Sequence, residues 1–281
     1  MKKIILVIAV LSLSMVVLAN KQFKTVHRNV SVAAPLASNE GQRARGDELT
    51  EEFHQLYPLN AAGLVSIANI NGDVHISVWD QNQVKVDAVK RAYQPERLAE
   101  VTIDVLNTPD SVRIKTKYPE QDRSTGERTR RNNPASVEYT LTIPRHARLT
   151  GAELVNGSLD VVGVEGDVRA SLVNGNVKAS GLAGEVKLST VNGAVEANVA
   201  RMDDGKGVTL SSVNGSIVLI VPGNASAEVK ANTLHGGITN EFGLTVNDGE
   251  FVGHDLSGQI GAGGPRIRLS NVNGPITIKR G

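Results

Sequence analysis

The amino-acid sequence predicts an all-β protein, most of it a β-solenoid: a single-stranded β-helix of about 18 residues per coil, with an N-terminal antiparallel β portion. Three observations carry that expectation. First, residues 157–192 are four consecutive nonapeptides, G-S-L-D-V-V-G-V-E, G-D-V-R-A-S-L-V-N, G-N-V-K-A-S-G-L-A and G-E-V-K-L-S-T-V-N. They share one template, with Gly first, an aliphatic residue third, fifth and eighth, and often Asn last. A nonapeptide cannot bury an apolar face alone, so such copies must stack on one another. Second, the template returns at residues 63–71, 206–214, 227–235 and 265–273. Third, Asn156, Asn174 and Asn192 recur every 18 residues, with Glu165 and Ala183 halfway. Two strands per coil would then superpose the Asn-Gly turns on one edge and the other turns on the opposite edge.

Taken in chain order, Met1-Lys2-Lys3, an apolar run from Ile4 to Leu18 and the small residues Val17 and Ala19 read as a signal peptide cut after Ala19. The run is shorter than the ~20 apolar residues of a spanning helix. No cysteine follows it to accept a lipid anchor. Residues 20–50 lack periodicity and read as an exposed linker. An N-terminal β portion spans 51–147, with alternating runs at 65–70, 74–78, 84–88, 101–106, 112–117 and 137–143. Asn71-Gly72 is expected as a hairpin-type turn, and Pro95–Glu100 as a single helical turn. A charged insertion at 119–134 holds Arg123, Arg128, Arg130 and Arg131 together with Asp122 and Glu127. Mixed charge favours a solvated loop there over an anion site. Solenoid repeats fill 148–281, continuous with the preceding part.

Within a repeat, positions three and five should point inward, as in Val168/Ala170, Val177/Ala179 and Val186/Leu188. Position eight should too, through a bend near the small residue at six (Ser171, Ser180, Ser189, Ser211, Ser270). Positions two and four pair an acid with a base on one coil: Asp167 with Arg169, Glu185 with Lys187, Glu228 with Lys230. Such fields should cancel, which predicts soluble cladding and argues against polyanion binding.

Composition narrows the function. Cysteine is absent, which excludes thiol chemistry and cysteine metal sites. Loss of Lys2 and Lys3 would take the formal charge from +1 to −1, and a near-neutral exported chain does not suggest a nucleic-acid partner. Aromatic residues are 3% of the chain and none lies in 157–214, so a ligand there would meet a polar surface rather than stacking rings.

Motifs that carry chemistry are few. The Asn-Gly steps are accounted for as turns whose amides can form a ladder. A calcium β-roll needs repeated Asp in its turns, whereas only Asp73 and Asp167 follow a turn glycine. The histidines (His27, His54, His75, His146, His235, His254) are scattered, with His235 in an Asn turn slot. The sharpest enzyme candidate is a β-helical pectin hydrolase, through Asp203-Asp204, Gly253-His254-Asp255 and Arg266-Ile267-Arg268. That family's earlier Asn-Thr-Asp element is missing, Asp255 stands where it has glycine, and Arg266 and Arg268 sit in ordinary repeat slots. No catalytic, cofactor-binding or metal-binding residue is assigned, and no cofactor is expected.

Residues 64–80 (L-V-S-I-A-N-I-N-G-D-V-H-I-S-V-W-D), 137–144 (V-E-Y-T-L-T-I-P), the V-N-G repeats and the ending 261–278 resemble a bacterial putative-adhesin domain family of unknown function. The resemblance spans roughly residues 51–279. It implies an exported β-helical protein, periplasmic, cell-surface or extracellular, that acts as an adhesin-like or envelope interaction module and is not an enzyme. The expected partner is an envelope or surface protein or glycan, with no nucleic acid and no membrane span in the mature chain. Two alternatives are a self-assembling structural protein and a polysaccharide-active β-helix enzyme. No translocator barrel, sorting signal or membrane tail follows Ile276-Thr-Ile-Lys-Arg-Gly, which leaves surface and periplasm equally open.

Overall fold

The computed structural model describes residues 48–119, 135–202, 205–248 and 253–281. The signal peptide, the linker as far as residue 47, all but the first residue of the charged insertion, and the Asp203-Asp204 pair lie outside the described residues. The chain runs through β1 (Leu49–Pro58), β2 (Leu64–Asn71), β3 (Val74–Trp79), β4 (Gln83–Ala92), the short helix α1 (Pro95–Glu100), β5 (Thr102–Thr108), β6 (Ser111–Lys117) and β7 (Ser136–Pro144). Then come β8 (Arg148–Asn156), β9 (Leu159–Val162), β10 (Val168–Asn174), β11 (Val177–Leu182), β12 (Val186–Asn192), β13 (Val195–Val199), β14 (Val208–Asn214) and β15 (Ile217–Val221). The last six are β16 (Ala227–His235), β17 (Ile238–Asn240), β18 (Val246–Asp248), β19 (His254–Ile260), β20 (Arg266–Asn273) and β21 (Ile276–Arg280).

These strands form two facing sheets of ten and eleven strands. The smaller sheet runs β1-β4-β7-β3-β9-β11-β13-β15-β21-β17 and the larger β18-β19-β16-β20-β14-β12-β10-β8-β2-β6-β5. Each coil contributes one strand to each sheet, and successive coils pair in parallel, as in Val168↔Val186 and Val177↔Val195. This is the predicted β-solenoid. Its interior is a slab of Val, Leu, Ile and Ala from both sheets, with Val168, Val186, Leu210 and Ile217 fully buried. Burying an aliphatic side chain contributes ~1.5–3 kcal/mol, and this repeated interior holds the fold without disulfides.

Coil order along the axis departs from sequence order at both ends. The first coil in the chain, β2–β3, lies between coil β6–β7 and coil β8–β9. The last coil, β20–β21, lies between β14–β15 and β16–β17. Antiparallel strands finish both sheets at one end, β4 on β7 and β5 on β6, and the larger sheet alone at the other, β19 on β16; the smaller sheet ends there on β17, parallel to β21. Coils β2–β3 and β6–β7 therefore come from within residues 51–147, and the antiparallel character there is confined to β1, β4 and β5.

Two local expectations are corrected. Asn71-Gly72 does not close a hairpin: β2 and β3 lie in different sheets, and the turn carries the chain from one to the other. Position eight also behaves differently in the two half-coils. In 157–165 and 175–183 it points inward (Val164, Leu182), and the bend falls on Gly163 and Gly181, at φ +78 and +68. In the Asn-ended half-coils alternation runs on unbroken, so position seven is buried (Leu172, Thr190, Ser212) and position eight faces outward. Glycine at position seven is what permits the bend, and the Asn-ended strands lack it.

Candidate functional site

The Asn-Gly turns stack as expected and form the most regular polar feature of the molecule. Asn156 Nδ2 donates to Asn71 Oδ1 at 2.9 Å, Asn174 to Asn156 at 2.9 Å, Asn192 to Asn174 at 2.8 Å, Asn214 to Asn192 at 2.9 Å and Asn273 to Asn214 at 2.7 Å. The ladder follows axial order, since its third and fourth steps join residues 18 and 22 apart while the last spans 59. His235 takes the next slot, opposite Asn273, and its carbonyl accepts from Gly274 N at 2.7 Å.

A second column lies just inside the first. Thr190 Oγ1 donates to the Gly175 carbonyl at 3.0 Å, Ser212 Oγ to Gly193 at 3.0 Å, Asn271 Nδ2 to Gly215 at 2.7 Å and Thr233 Oγ1 to Gly274 at 3.0 Å. Composition alone did not reveal these buried polar residues; the signal was their shared place two residues before the turn Asn or His. Thr190→Val is expected to lower stability by about 1 kcal/mol in urea denaturation. The cost stays small because Leu172 fills the same slot one coil away without a hydroxyl.

The residues weighed for calcium are turn fixtures. Asp73 Oδ1 accepts from Ser158 N at 2.7 Å, and Asp167 Oδ1 from Glu185 N at 3.1 Å. Burial pushes the Asp167 carboxyl up, but the Lys206 ammonium 2.8 Å away and the Glu185 N–H together hold it below its ordinary range. Among the described residues no group of three or more His, Asp or Glu could hold a metal ion. His54 lies on β1 between Asp87 (2.7 Å) and Glu52 (3.2 Å), which raise its pKa. His75 faces out from β3, His146 lies 3.4 Å from Glu165, and His27 is outside the described residues. Among the described residues no helix is long and apolar enough to cross a membrane.

The hydrolase candidates do not converge among the described residues. Asp255 lies opposite Asn232, which lies opposite Ser270, whereas Arg268 lies opposite Lys230. Asp255 is therefore two strands and two residues away from Arg268. Its carboxylate accepts from Asn247 at 3.4 Å.

The outer face of the larger sheet is organised in three axial columns. The first reads Arg113, Ser66, the Thr150-Gly151 bulge, Arg169, Lys187, Thr209, Arg268 and Lys230. The second carries hydroxyls, Ser171, Ser189, Ser211 and Ser270, with the Ser171 and Ser189 oxygens 3.0 Å apart. The third is the displaced position eight: Ile70, Val155, Val173, Val191, Val213, Val272 and Leu234. Ile70 and Val155 are 40% exposed and Leu234 45%, values too high for core residues. The facing column of the other sheet instead alternates in sign, from Asp160 to Lys178 to Glu196, and then loses charge at Val218 and Thr277.

Ion pairing on this face runs mostly across coils, contrary to the expectation of acid and base paired within each one. Glu185 holds Lys187 at 2.8 Å and also Arg169, one coil away, at 2.9 Å. Asp167 turns to Lys206, and Glu228 to Arg266 at 3.4 Å. The Lys187 and Arg169 contacts hold the Glu185 carboxyl below its ordinary 4.5. A carboxyl depressed in the folded state stabilises it above the unfolded pKa, and that contribution is lost as pH falls through the folded value. Glu185→Gln should therefore flatten the acid limb of the Tm-versus-pH curve below about pH 4.5 and leave Tm at pH 8 lower than the parent's.

This geometry, two facing and mostly parallel sheets wound from short repeats, is that of a β-solenoid. Residues 167–279 match the model of the Toastrack family DUF4097. No curated protein matches the chain. Among solved structures, a "putative cell adhesion protein" from Clostridium sporogenes is similar at 16% identity and a TM-score of 0.50, covering 83% of this chain and 100% of its own. A "putative adhesin" from Bacteroides fragilis is 14% identical with a TM-score of 0.38, covering 82% and 97%. A "putative lipid binding protein" from Parabacteroides distasonis is 11% identical with a TM-score of 0.32, covering 83% and 97%. The Clostridium likeness is one of fold.

Proposed function

We propose that the protein is an exported, non-enzymatic, adhesin-like interaction module of the bacterial envelope, and that it binds through the outer face of its larger sheet. The observation that carries this reading is the three-column face itself. Packing requires the inward residues at positions three, five and seven, but nothing in the interior requires a continuous outward row of aliphatics beside rows of hydroxyls and cations. An exposed apolar seam rimmed by polar groups is the usual signature of an interaction surface. Support also comes from the "putative cell adhesion protein" of Clostridium sporogenes, a chain of this fold. Antiparallel β1, β4 and β5 cover the coils at one end and β18–β19 cover the larger sheet at the other, where the smaller sheet ends on β17; this favours lateral binding over end-to-end filaments.

The test is retention of the purified full-length protein on envelope fragments, compared with fragments stripped of protein by protease. Saturable retention that weakens in the paired variant Val191→Asp and Val213→Asp supports the reading. Equal retention by that variant, or release of new reducing ends from the fragments, overturns it.

A further inference from the structure

The larger sheet's cation column points to a more specific ligand, and this step rests on the face proposed above. Over eight neighbouring strands, from Arg113 to Lys230, the column holds five cations and no carboxylate. Neighbouring strands are ~4.8 Å apart, so the four cations between Arg169 and Lys230 recur along about 20 Å of a straight line. Their neutralisation is incomplete. Glu185 alone serves both Arg169 and Lys187. Glu228 is engaged by Arg266. Arg268 and Lys230, side by side on β20 and β16, form no ion pair among the described residues.

Shallow grooves flank Arg268 on both sides. One is lined by Glu185, Lys187, Thr209 and Arg266, the other by Glu228, Lys230, Ser257 and Gln259. Hydroxyls of the serine column run alongside as hydrogen-bond donors. Carboxylates stand beside the cation column, with Glu185 and Glu228 in these grooves and Asp167 held by Lys206, and at the two ends of the serine column, Glu153 and Asp255. Among the described residues no Phe, Tyr or Trp stands in the three columns, so the ligand is held by charge and hydrogen bonds rather than by stacking.

We infer that the column formed by Arg169, Lys187, Arg268 and Lys230 is a binding track for an extended, unbranched polyanion that lies parallel to the solenoid axis. The shared ligand chemistry is an anionic group, carboxylate or phosphate, repeated along a polymer backbone. A row of cations carried on a rigid sheet suits such a chain because the backbone needs no reordering on binding, and the attraction is screened by salt.

The experiment measures binding of the full-length protein to polygalacturonate, to poly(glycerol phosphate) and to neutral dextran, at low and at high salt. The two polyanions distinguish a uronate source from a phosphate source. The expected result is saturable binding to at least one polyanion, weakened by salt, with none to dextran. Arg268→Glu combined with Lys230→Glu should reduce affinity about tenfold or more. Lys178→Glu on the opposite sheet should leave it unchanged, and the milder Arg268→Gln with Lys230→Gln should fall between. Each variant is first checked for parental Tm, which its exposed positions should preserve. Equal binding of dextran, parental affinity in the charge-reversed variant, or no binding to either polyanion at low salt overturns the inference. Failure here with intact retention on envelope fragments removes only the polyanion, whereas failure of both removes the interaction face as well.

Discussion

Removal of residues 265–281 is expected to abolish cooperative folding of the solenoid. These residues supply β20 and β21, which sit inside both sheets rather than at an end. Their loss leaves β14 and β16 facing each other across an empty slot, and β15 and β17 likewise. Buried Ile267, Leu269, Ile276 and Ile278 go with them. At ~2 kcal/mol each, these side chains alone represent on the order of 8 kcal/mol, comparable with the whole stability of a typical domain. Asn214 also loses its ladder neighbour Asn273. Circular dichroism during urea titration should show a broad, low-midpoint transition, and limited proteolysis should cut near residues 227–260. Deletion of Leu49–Pro58, the antiparallel edge strand β1, should cost far less. A parental midpoint after loss of 265–281 would contradict the interior placement of the last coil.

Gly193→Ala should be the most damaging single substitution. Gly193 has φ +154, and a Cβ there would lie 2.0 Å from the Gly175 carbonyl oxygen. The same contact recurs from Gly157 to Gly274 along the stack, at 1.9–2.2 Å, so the neighbouring coil cannot move aside without carrying the next one with it. Backbone strain of ~1–3 kcal/mol adds to this clash. Together they predict a loss of roughly 4 kcal/mol, in the range where a single change in a core is diagnostic. Gly151, where an added Cβ meets nothing within 4 Å, is the matched control. Gly151→Ala should leave the midpoint within about 0.5 kcal/mol of the parent.

The parts of the fold legible in the sequence are those set by local period. Val168, Ala170, Val186 and Leu188 alternate because a strand alternates, and Asn156, Asn174 and Asn192 recur at the coil length. His235 could be placed in a turn slot for the same reason. Coil order was not legible. Val208 pairs with Ile267 and Val229 pairs with Ile267 from the other side. Nothing local to 206–214, 227–235 or 265–273 states which repeat is the middle one, because all three present the same inward pattern. The direction of Val173 and Val191 is not set by the repeat template alone, since it depends on whether position seven is glycine, as at Gly163 and Gly181, or Leu172 and Thr190. The candidate face was hidden for a related reason. Acid and base two residues apart on one strand look self-neutralising, but Glu185 and Glu228 reach to neighbouring coils, and only the stacking reveals which cations remain.

Interleaved ends decide where such a protein can change length. A copy of residues 175–192 inserted after Asn192 would add one more turn of the helix with its own asparagine, glycine and cation, and would disturb neither terminus. An extra unit appended at either end would find antiparallel strands set between it and the coils of the larger sheet, β5 at one end and β18–β19 at the other. Growth of this architecture therefore proceeds from the centre outward, and each added unit lengthens the serviceable outer surface by ~4.8 Å.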